Sequence, residues 1–199
     1  MSIAFAQSTP LNRGDETHTA AYCLRPAISA KEDQQYLTAM CYVSIFPMRH
    51  PPLSIQEEEK ILLRLPQISP WRRGWGRTGD IALLAINPLT QQRIGAIWCR
   101  LFPSAPAFVS GFYDPNVPLV SLAVTKSSRH QGVGGSLLHA IKQAASQHGY
   151  TALSLGVTAK NTAQVLYEQH GFQRCSVHSP SGLITMAVEL TVPENGNVR

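Results

Sequence analysis

The sequence is short of features that would each point to a particular class of protein. No segment approaches the run of roughly 18 apolar residues that a membrane-spanning helix needs, so we expect a soluble chain with no membrane partner. Charged residues make up only 15% of the 199 residues and hydrophobic residues 44%, which is unlike the charge-rich composition of disordered chains. The composition therefore predicts one folded domain with a sizeable core.

Cysteine is also scarce, and its four positions show no pairing. Neither a zinc-ligand spacing nor a small disulfide framework connects them, so we expect reduced thiols in a cytoplasmic protein, most of them buried, and no metal site. A basic segment is missing before the apolar patch of the first residues, so no cleaved signal peptide is expected. The cysteines are Cys23, Cys41, Cys99 and Cys175.

What the sequence does have is an excess of positive charge. Seventeen basic and twelve acidic residues leave a formal net charge of +5. This charge suits a polyanionic partner, either nucleic acid or a phosphorylated cofactor, and it is equally typical of a surface that keeps a protein in solution. No nucleic-acid recognition motif accompanies it, so we expect no nucleic-acid partner.

Hydrophobic periodicity predicts a mixed α/β domain over residues 21–192, between a mobile tail at 1–20 and a short C-terminal tail at 193–199. A first helix is expected after Ser29 as its N-cap, a second over residues 54–65, and further helices after the glycines at 132–135 and at 161–171. "PLTQQ" is predicted to be a hairpin turn. The predicted strands lie in "AYCLRPA", "IALLAIN", "RIGAIWCRLF", "LVSLAV", "ALSLGV", "FQRCSV" and "LITMAVEL".

A glycine-rich segment, "RHQGVGG" at residues 129–135, stands between a predicted buried strand and an amphipathic helix. The start of a helix offers unpaired backbone N–H groups and the positive end of the helix dipole, and glycine lets a phosphate approach the backbone closely. The segment therefore indicates a phosphate site, although glycines at such a turn also occur for tight packing alone.

Three phosphate-binding patterns compete for this segment. A Walker loop requires a lysine followed by Ser or Thr after its last glycine, but Ser136 follows Gly135 directly. A dinucleotide fingerprint requires a third glycine where Leu137 stands, and no acidic residue ends the next strand. The pattern [Q/R]-x-x-G-x-[G/A] fits, with Arg129, Gly132 and Gly134 at its fixed positions.

On these residues the chain resembles the GNAT superfamily of acyl-CoA-dependent N-acyltransferases, and "NTAQVLYEQHGF" resembles the closing segment of that family. The resemblance is specific over residues 117–176 and loose over 22–102. It implies a mixed, mostly antiparallel sheet of about six to seven strands, with the fourth and fifth splayed apart, flanked by about four helices. It also implies acetyl-CoA as the cofactor, with the pyrophosphate in the glycine loop.

The same resemblance implies roles for particular residues. Asn161 would contact the pantetheine or phosphate arm, and Tyr167 would protonate the leaving thiolate, for which its ordinary pKa near 10 keeps it in the right form. A backbone N–H of Ala123 or Val124 would stabilise the oxyanion. The full set of expected cofactor-binding residues is Leu122, Ala123, Val124, Arg129, His130, Gln131, Gly132, Val133, Gly134, Gly135, Ser136, Asn161 and Tyr167.

The general base is the position where the sequence departs from the family. Many relatives carry a glutamate on the fourth strand, and here Leu119 stands in its place. Asp114, His130 or a chain of waters are the alternatives. A catalytically silent acyl-CoA sensor is a second hypothesis, and Leu119 is the residue that favours it.

The expected acceptor is a primary amine on a small molecule or a peptide, and a homodimer is left open. An aromatic wall of Trp71, Trp75, Phe112 and Tyr113 is expected around the amine, with Asp80 or Asp114 meeting its charge. An exposed basic loop with structural tryptophans is the competing interpretation of this region. The substrate residues predicted in this way are Trp75, Asp80, Tyr113 and Asp114.

Overall fold

The fold is built on one seven-stranded sheet with the strand order β1-β2-β3-β4-β5-β7-β6. A computed structural model describes residues 22–46, 62–178 and 182–191. Neighbouring strands are antiparallel except β4 and β5, which are parallel. All seven predicted strands are confirmed: β1 (Cys23–Pro26), β2 (Ile81–Ile86), β3 (Arg93–Arg100), β4 (Leu119–Val124), β5 (Ala152–Thr158), β6 (Gln173–His178) and β7 (Leu183–Glu189).

Four α-helices flank this sheet in the described part of the chain, as the resemblance implied. The predicted helix at 54–65 falls largely outside the described residues, and both predicted tails lie outside them entirely. Among the described residues, no helix is long and apolar enough to cross a membrane. The helices are α1 (Lys31–Ile45), α2 (Ser69–Arg72), α3 (Val133–Gln147) and α4 (Ala163–Gln169), with a 3-10 turn at Lys126–Ser128.

The sheet is covered on both faces, and strand β2 shows why. All six of its residues are buried. Because side chains alternate along a strand, Leu83 and Ala85 join the core cluster that includes the apolar stripe of α3, whereas Leu84 and Ile86 join the cluster that contains α1. A strand enclosed in this way has a continuous apolar sequence, which is what "IALLAI" is.

Helix α1 is fixed by a charged cluster that the sequence did not reveal. The carboxylate of Asp33, fully buried, accepts hydrogen bonds from Arg25 at 2.6 Å and from Arg93 at 2.9 Å. It also accepts the backbone N–H of Ile28, and these bonds hold its pKa well below the ordinary range. The predicted N-cap at Ser29 is wrong: Ala30 occupies that position without a side-chain cap, because Asp33 satisfies the backbone of the preceding turn.

The parallel pair is the irregular part of the sheet. Strand β4 pairs with β3 over six residues but with β5 only at Leu119 and Ser154, beside which the Ser154 N–H donates to the Pro118 carbonyl at 3.0 Å. Beyond this point the two strands separate, so the predicted splay is confirmed. One edge of β4 is left without a strand partner, and this edge forms one wall of the cleft described below.

The cysteines divide evenly between core and surface. Cys41 and Cys99 are buried, as predicted, and burial raises the pKa of each thiol to about 12. Cys23 and Cys175 are exposed. Half of the cysteines are therefore core residues, and not most of them as expected.

Candidate active site

The glycine loop turns the chain from β4 into α3 through two left-handed residues. His130 has a φ of 60° and Gly132 a φ of 79°, and α3 begins at the next residue, Val133. The left-handed conformation is easy for glycine and unfavourable for most other residues, which accounts for glycine at position 132. The side chain of Arg129 returns toward the strand, and its Nε donates to the carbonyl of Val124 at 3.1 Å.

The first turn of α3 presents backbone donors at this loop. The N–H groups of Val133, Gly134 and Gly135 lie at the start of the helix, where no intrahelical acceptor exists for them. The Ser136 N–H is the first to be paired, with the carbonyl of Gly132 at 3.0 Å. This geometry suits an anion, because the donors and the positive end of the helix dipole coincide.

Packing also favours glycine at two of these positions. A Cβ on Gly134 would lie 3.2 Å from Leu166, and a Cβ on Gly135 would lie 3.2 Å from the ring of His170. Both neighbours belong to the α4 region, so the glycines let α4 approach the start of α3. The phosphate interpretation and the packing interpretation of the sequence therefore describe the same loop.

A cavity of about 540 Å³, the cofactor cavity, extends from this loop along β4 to α4. Of the predicted cofactor residues, ten line it: Leu122, Ala123, Val124, Arg129, His130, Gly132, Gly134, Gly135, Asn161 and Tyr167. The other three do not. The side-chain amide of Gln131 donates to the Ser127 carbonyl, Val133 is buried in the core, and the Ser136 hydroxyl lies 2.8 Å from the hydroxyl of Tyr22.

Tyr167 lies on α4 at the side of this cavity. Its half-buried ring meets Phe172 edge-on, with 6.0 Å between the ring centroids. Burial raises the pKa of Tyr167 to about 12, so the hydroxyl keeps its proton over the whole neutral range. The side chain can therefore act as a proton donor to a group in the cavity.

Asn161 stands just before α4 and lines two cavities. Its Oδ1 accepts the backbone N–H of Ala163 at 2.9 Å, so the asparagine does support the start of the helix. The side-chain amide nitrogen is left as a donor toward the cavities. A structural role and a binding role are compatible here, since they use different atoms.

A second cavity of about 510 Å³, the acceptor cavity, lies on the other side of the splay. It meets the cofactor cavity at Ser44, Val120, Ser121, Gly156 and Asn161, which line both. The remaining walls come from Trp71 and Gln67, from the segment 108–110, and from the ends of α1, β5 and β7. The two cavities therefore adjoin each other at the opening between β4 and β5, and we refer to the pair as the passage.

The structure places Asp80 away from this passage, and its predicted role toward an amine has to be corrected. Its side chain is 4% exposed and forms a bidentate pair with Arg100, with distances of 2.6 and 2.9 Å. The backbone N–H groups of Gly76 and Arg77 donate to the same carboxylate. Because both oxygens are engaged inside the fold, Asp80 organises the loop from 73 to 80 instead of facing a substrate.

The predicted aromatic wall is only partly assembled. Trp71 lines the acceptor cavity, whereas Trp75 stacks on Arg72 and Arg100, with 5.2 and 5.0 Å from each guanidinium carbon to the ring centroid. Tyr113 is 54% exposed and lines neither cavity. Phe112 packs against the α1-side core.

The expected bases do not converge on the passage either. Asp114 lines neither cavity, and its Oδ1 accepts the N–H of Asn116 in a turn. Leu119, at the position where the resemblance implies a glutamate in many relatives, is 1% exposed in the α1-side core. His130 does line the cofactor cavity, at the glycine loop.

Sequence reasoning missed Ser44, Ser121 and Phe108 as lining residues. The first two lie where the cavities meet, and Phe108 borders the acceptor cavity. No local pattern marks them, since they are brought together only by the fold. Among the described residues, no group of three or more potential metal ligands occurs.

Fold and site together have the features of an α/β domain built around a phosphate-bearing ligand and a neighbouring acceptor. Residues 82–174 match the model of the acetyltransferase (GNAT) domain. These residues therefore carry a GNAT acetyltransferase domain, and the resemblance inferred from the sequence is confirmed.

Two curated relatives match part of the chain. L-2,4-diaminobutyric acid acetyltransferase of Nocardia farcinica is 28% identical over 118 residues, which is 52% of this chain and 60% of that protein. Mycothiol acetyltransferase of Jonesia denitrificans is 31% identical over 99 residues, 48% of this chain and 29% of that protein. The chain thus spans less than two thirds of the length of either relative.

Solved structures share the fold at low identity. Ribosomal-protein-alanine N-acetyltransferase from Brucella melitensis superposes with a TM-score of 0.60 at 19% identity, covering 84% of this chain and 99% of that one. The yncA protein of Salmonella typhimurium, solved with its cofactor acetyl-CoA, gives a TM-score of 0.62 at 15% identity, covering 85% and 94%. At such identities the comparison bears on the fold alone.

Proposed function

We propose that this chain is an N-acetyltransferase that passes an acetyl group from acetyl-CoA directly to a primary amine of a small molecule or peptide. The observation that supports the proposal is that the cavity lined by the glycine loop, Asn161 and Tyr167 adjoins the acceptor cavity and shares lining residues with it. Both curated relatives are named as acetyltransferases, one of a diamino acid and one of mycothiol.

The residues present fit acetyl-CoA. The N–H groups at the start of α3 and the guanidinium of Arg129 would hold its phosphates, with glycine at position 132 permitting the left-handed turn. The unpaired edge of β4 at residues 122–124 would hold the pantetheine arm through backbone hydrogen bonds. The bound cofactor would supply an acetyl thioester, which is an activated acyl group.

The protein's own part in the chemistry is positioning and proton transfer. A backbone N–H of Ala123 or Val124 would stabilise the oxyanion of the tetrahedral intermediate, and the Tyr167 hydroxyl would donate its proton to the departing sulfur. No cysteine lines either cavity, so the amine would attack the thioester directly, without an acylated enzyme. The amine's proton would leave through water, since Leu119 offers no carboxylate.

The binding part of this proposal is tested by thermal unfolding with acetyl-CoA, CoA, ATP and NAD in turn. Ligand at about a hundredfold excess over its Kd stabilises the native state by roughly 2.7 kcal/mol. We expect a rise in Tm with both CoA species and none with ATP or NAD. A melting curve that no CoA species moves would contradict the cofactor site.

The catalytic part is tested by Tyr167→Phe. Removing a general acid lowers kcat by roughly 10²-fold, while the Kd for acetyl-CoA stays within about twofold because the ring remains. Since the pKa of Tyr167 is about 12, the wild type should show no loss of kcat from this group below about pH 11. Tyr150→Phe is the matched control, because its hydroxyl donates to the Gly79 carbonyl away from both cavities.

A catalytically silent acyl-CoA-binding protein is the second candidate, and buried Leu119 is the observation that favours it. It predicts the same stabilisation by acetyl-CoA but no release of free CoA with any amine. Turnover of one amine that Tyr167→Phe reduces would exclude it.

A further inference from the structure

The acceptor cavity has an unusual residue at its border. Phe108 lies 71% exposed to solvent and has a backbone φ of 63°. A bulky residue with a positive φ is a strained conformation, and it persists only where the surrounding structure imposes it. An exposed aromatic ring in such a conformation requires an explanation other than core packing.

The segment that carries this ring is held by close contacts at two glycines, Gly111 and Gly156. A Cβ on Gly156 would lie 2.5 Å from the backbone carbon and the side-chain oxygen of Ser110, and a Cβ on Gly111 would collide with the backbone of Gly156. The segment after Phe108 therefore rests directly on β5, in the splayed region of the sheet. On the other side, the Val109 N–H donates to the Pro106 carbonyl at 3.3 Å. The position of Phe108 follows from these fixed neighbours.

The wall formed by Trp71 is also fixed. Its ring meets Trp98 and Phe102 edge-on, with centroid distances of 6.1 and 5.4 Å, and only 4% of the residue is exposed. Such packing gives the cavity a rigid aromatic side. Phe108 borders the same cavity, so two aromatic side chains from distant segments contribute to its lining.

The remaining lining residues that the structure describes are apolar or polar, and none of them is charged. Ile45, Val157 and Leu183 add apolar surface, and the polar lining residues, such as Gln67 and Thr158, are uncharged. All the described lining residues are non-ionisable. An apolar group gains by leaving water for such a surface, whereas a carboxylate or second ammonium group would be desolvated without a counter-charge from these residues.

We infer that the acceptor cavity selects amines with an uncharged, apolar or aromatic skeleton, and that Phe108 is the residue that sets this selectivity. The inference rests on the proposed function and deepens it, because it names the substrate class. The amine nitrogen lies at the junction beside Ser121, toward the thioester, while the skeleton packs between Phe108 and Trp71. A charged substituent on the skeleton is rejected by the lining.

The experiment compares benzylamine, ethanolamine and β-alanine, whose amines differ far less in basicity than their skeletons do in polarity. CoA release gives kcat/KM for each amine with saturating acetyl-CoA. We expect the wild type to favour benzylamine over the other two by more than about tenfold, which is the discrimination an apolar pocket provides. Phe108→Ala should lower kcat/KM for benzylamine by about fivefold to tenfold and leave ethanolamine within about twofold.

Two further variants distinguish the effect of the Phe108 ring from the effect of its backbone strain. Phe108→Gly removes the ring and relieves the positive φ, so it should lose benzylamine selectivity as Phe108→Ala does, without a lower Tm. Leu89→Ala removes another apolar side chain, 93% exposed in the β2–β3 turn. It should leave kcat/KM unchanged for both benzylamine and ethanolamine. Both variants should bind acetyl-CoA as the wild type does.

The outcomes distinguish this inference from the proposed function. Turnover that favours ethanolamine or β-alanine, or an equal loss for all amines in Phe108→Ala, would overturn the inference and leave the acetyltransferase intact. If no amine releases CoA, the proposed function fails, and equilibrium dialysis of benzylamine and ethanolamine with the CoA-saturated protein decides the inference. Equal binding of the two would overturn it, and tighter binding of benzylamine that Phe108→Ala abolishes would support it.

Discussion

The two cavities that meet in the cleft are built in different ways. Half of the residues that line the cofactor cavity come from one stretch of chain, from β4 through the glycine loop to the start of α3, and most of the others come from the α4 region. The acceptor cavity takes one to three residues from each of α1, α2, the segment 108–110, β4, β5 and β7. The first depends on local backbone geometry, and the second depends on how distant parts of the fold pack.

The acceptor side depends in particular on one buried charge pair. Arg100 is fully buried and donates to Asp80 and to the carbonyls of Pro70, Arg73 and Gly74. It therefore connects strand β3 to α2, the short helix that carries Trp71. Burial raises the pKa of Asp80, but the hydrogen bonds and charge of Arg100 outweigh this and lower it overall.

Asp80→Asn should lower the free energy of unfolding most, and it should disturb the acceptor cavity more than the cofactor cavity. It leaves the buried Arg100 guanidinium without a counter-charge, which costs about 3–5 kcal/mol of unfolding free energy. Denaturant unfolding measures this loss. In the folded fraction, KM for the amine should rise more than the Kd for acetyl-CoA, because Arg100 holds the Trp71 segment and not the glycine loop.

The control for this change is Glu168→Gln, which removes a pair with Arg174 whose side chains are 46% and 55% exposed. An exposed pair contributes at most about 1 kcal/mol. If Asp80→Asn unfolded at the same denaturant concentration as Glu168→Gln, the central role of the Arg100 pair would be refuted.

A medium effect is expected from Gly111→Ala, which sharpens the comparison at the contact between segment 108–111 and β5. Gly111 has a φ of 97° and Gly76 a φ of 100°, but only Gly111 lies against neighbouring backbone. Both Ala variants incur a strain of about 1 kcal/mol, and in Gly111→Ala the clash with Gly156 adds about 1–2 kcal/mol more. Thermal unfolding should therefore give a lower Tm for Gly111→Ala than for Gly76→Ala. Equal Tm values would show that the contact between Gly111 and Gly156 does not affect stability.

The same difference between the cavities explains what the sequence could predict. The strands, α3 and the glycine loop follow from local patterns, because alternation, helical periodicity and a left-handed turn at Gly132 depend on neighbouring residues. For this reason the glycine loop and the resemblance that it carries pointed to ten residues that line the cofactor cavity. Asp80 was mistaken for a substrate contact since its partner Arg100 is 20 residues away, and Phe108 was missed because its exposure and its φ are imposed by packing on β5.

The smallest effect is expected on the cofactor side, from Tyr22→Phe. The Tyr22 hydroxyl lies 2.8 Å from the Ser136 hydroxyl and 3.5 Å from the position of a Cβ on Gly132, so it borders the start of α3. Losing one such hydrogen bond costs about 1 kcal/mol, or roughly fivefold in affinity where the bond supports a ligand. We expect the Kd for CoA to rise by up to about fivefold, measured by titration calorimetry.

The phosphate-free donor S-acetylpantetheine distinguishes a loop effect from a general one. If Tyr22 supports the anion-binding turn of α3, Tyr22→Phe should leave KM for S-acetylpantetheine unchanged while it raises KM for acetyl-CoA. A parallel rise for both donors would mean that Tyr22 acts through the sheet and not through the loop. The contrast between a backbone-built cofactor cavity and a packing-built acceptor cavity would then need revision, because the β4 side of the cofactor cavity would depend on distant packing as well.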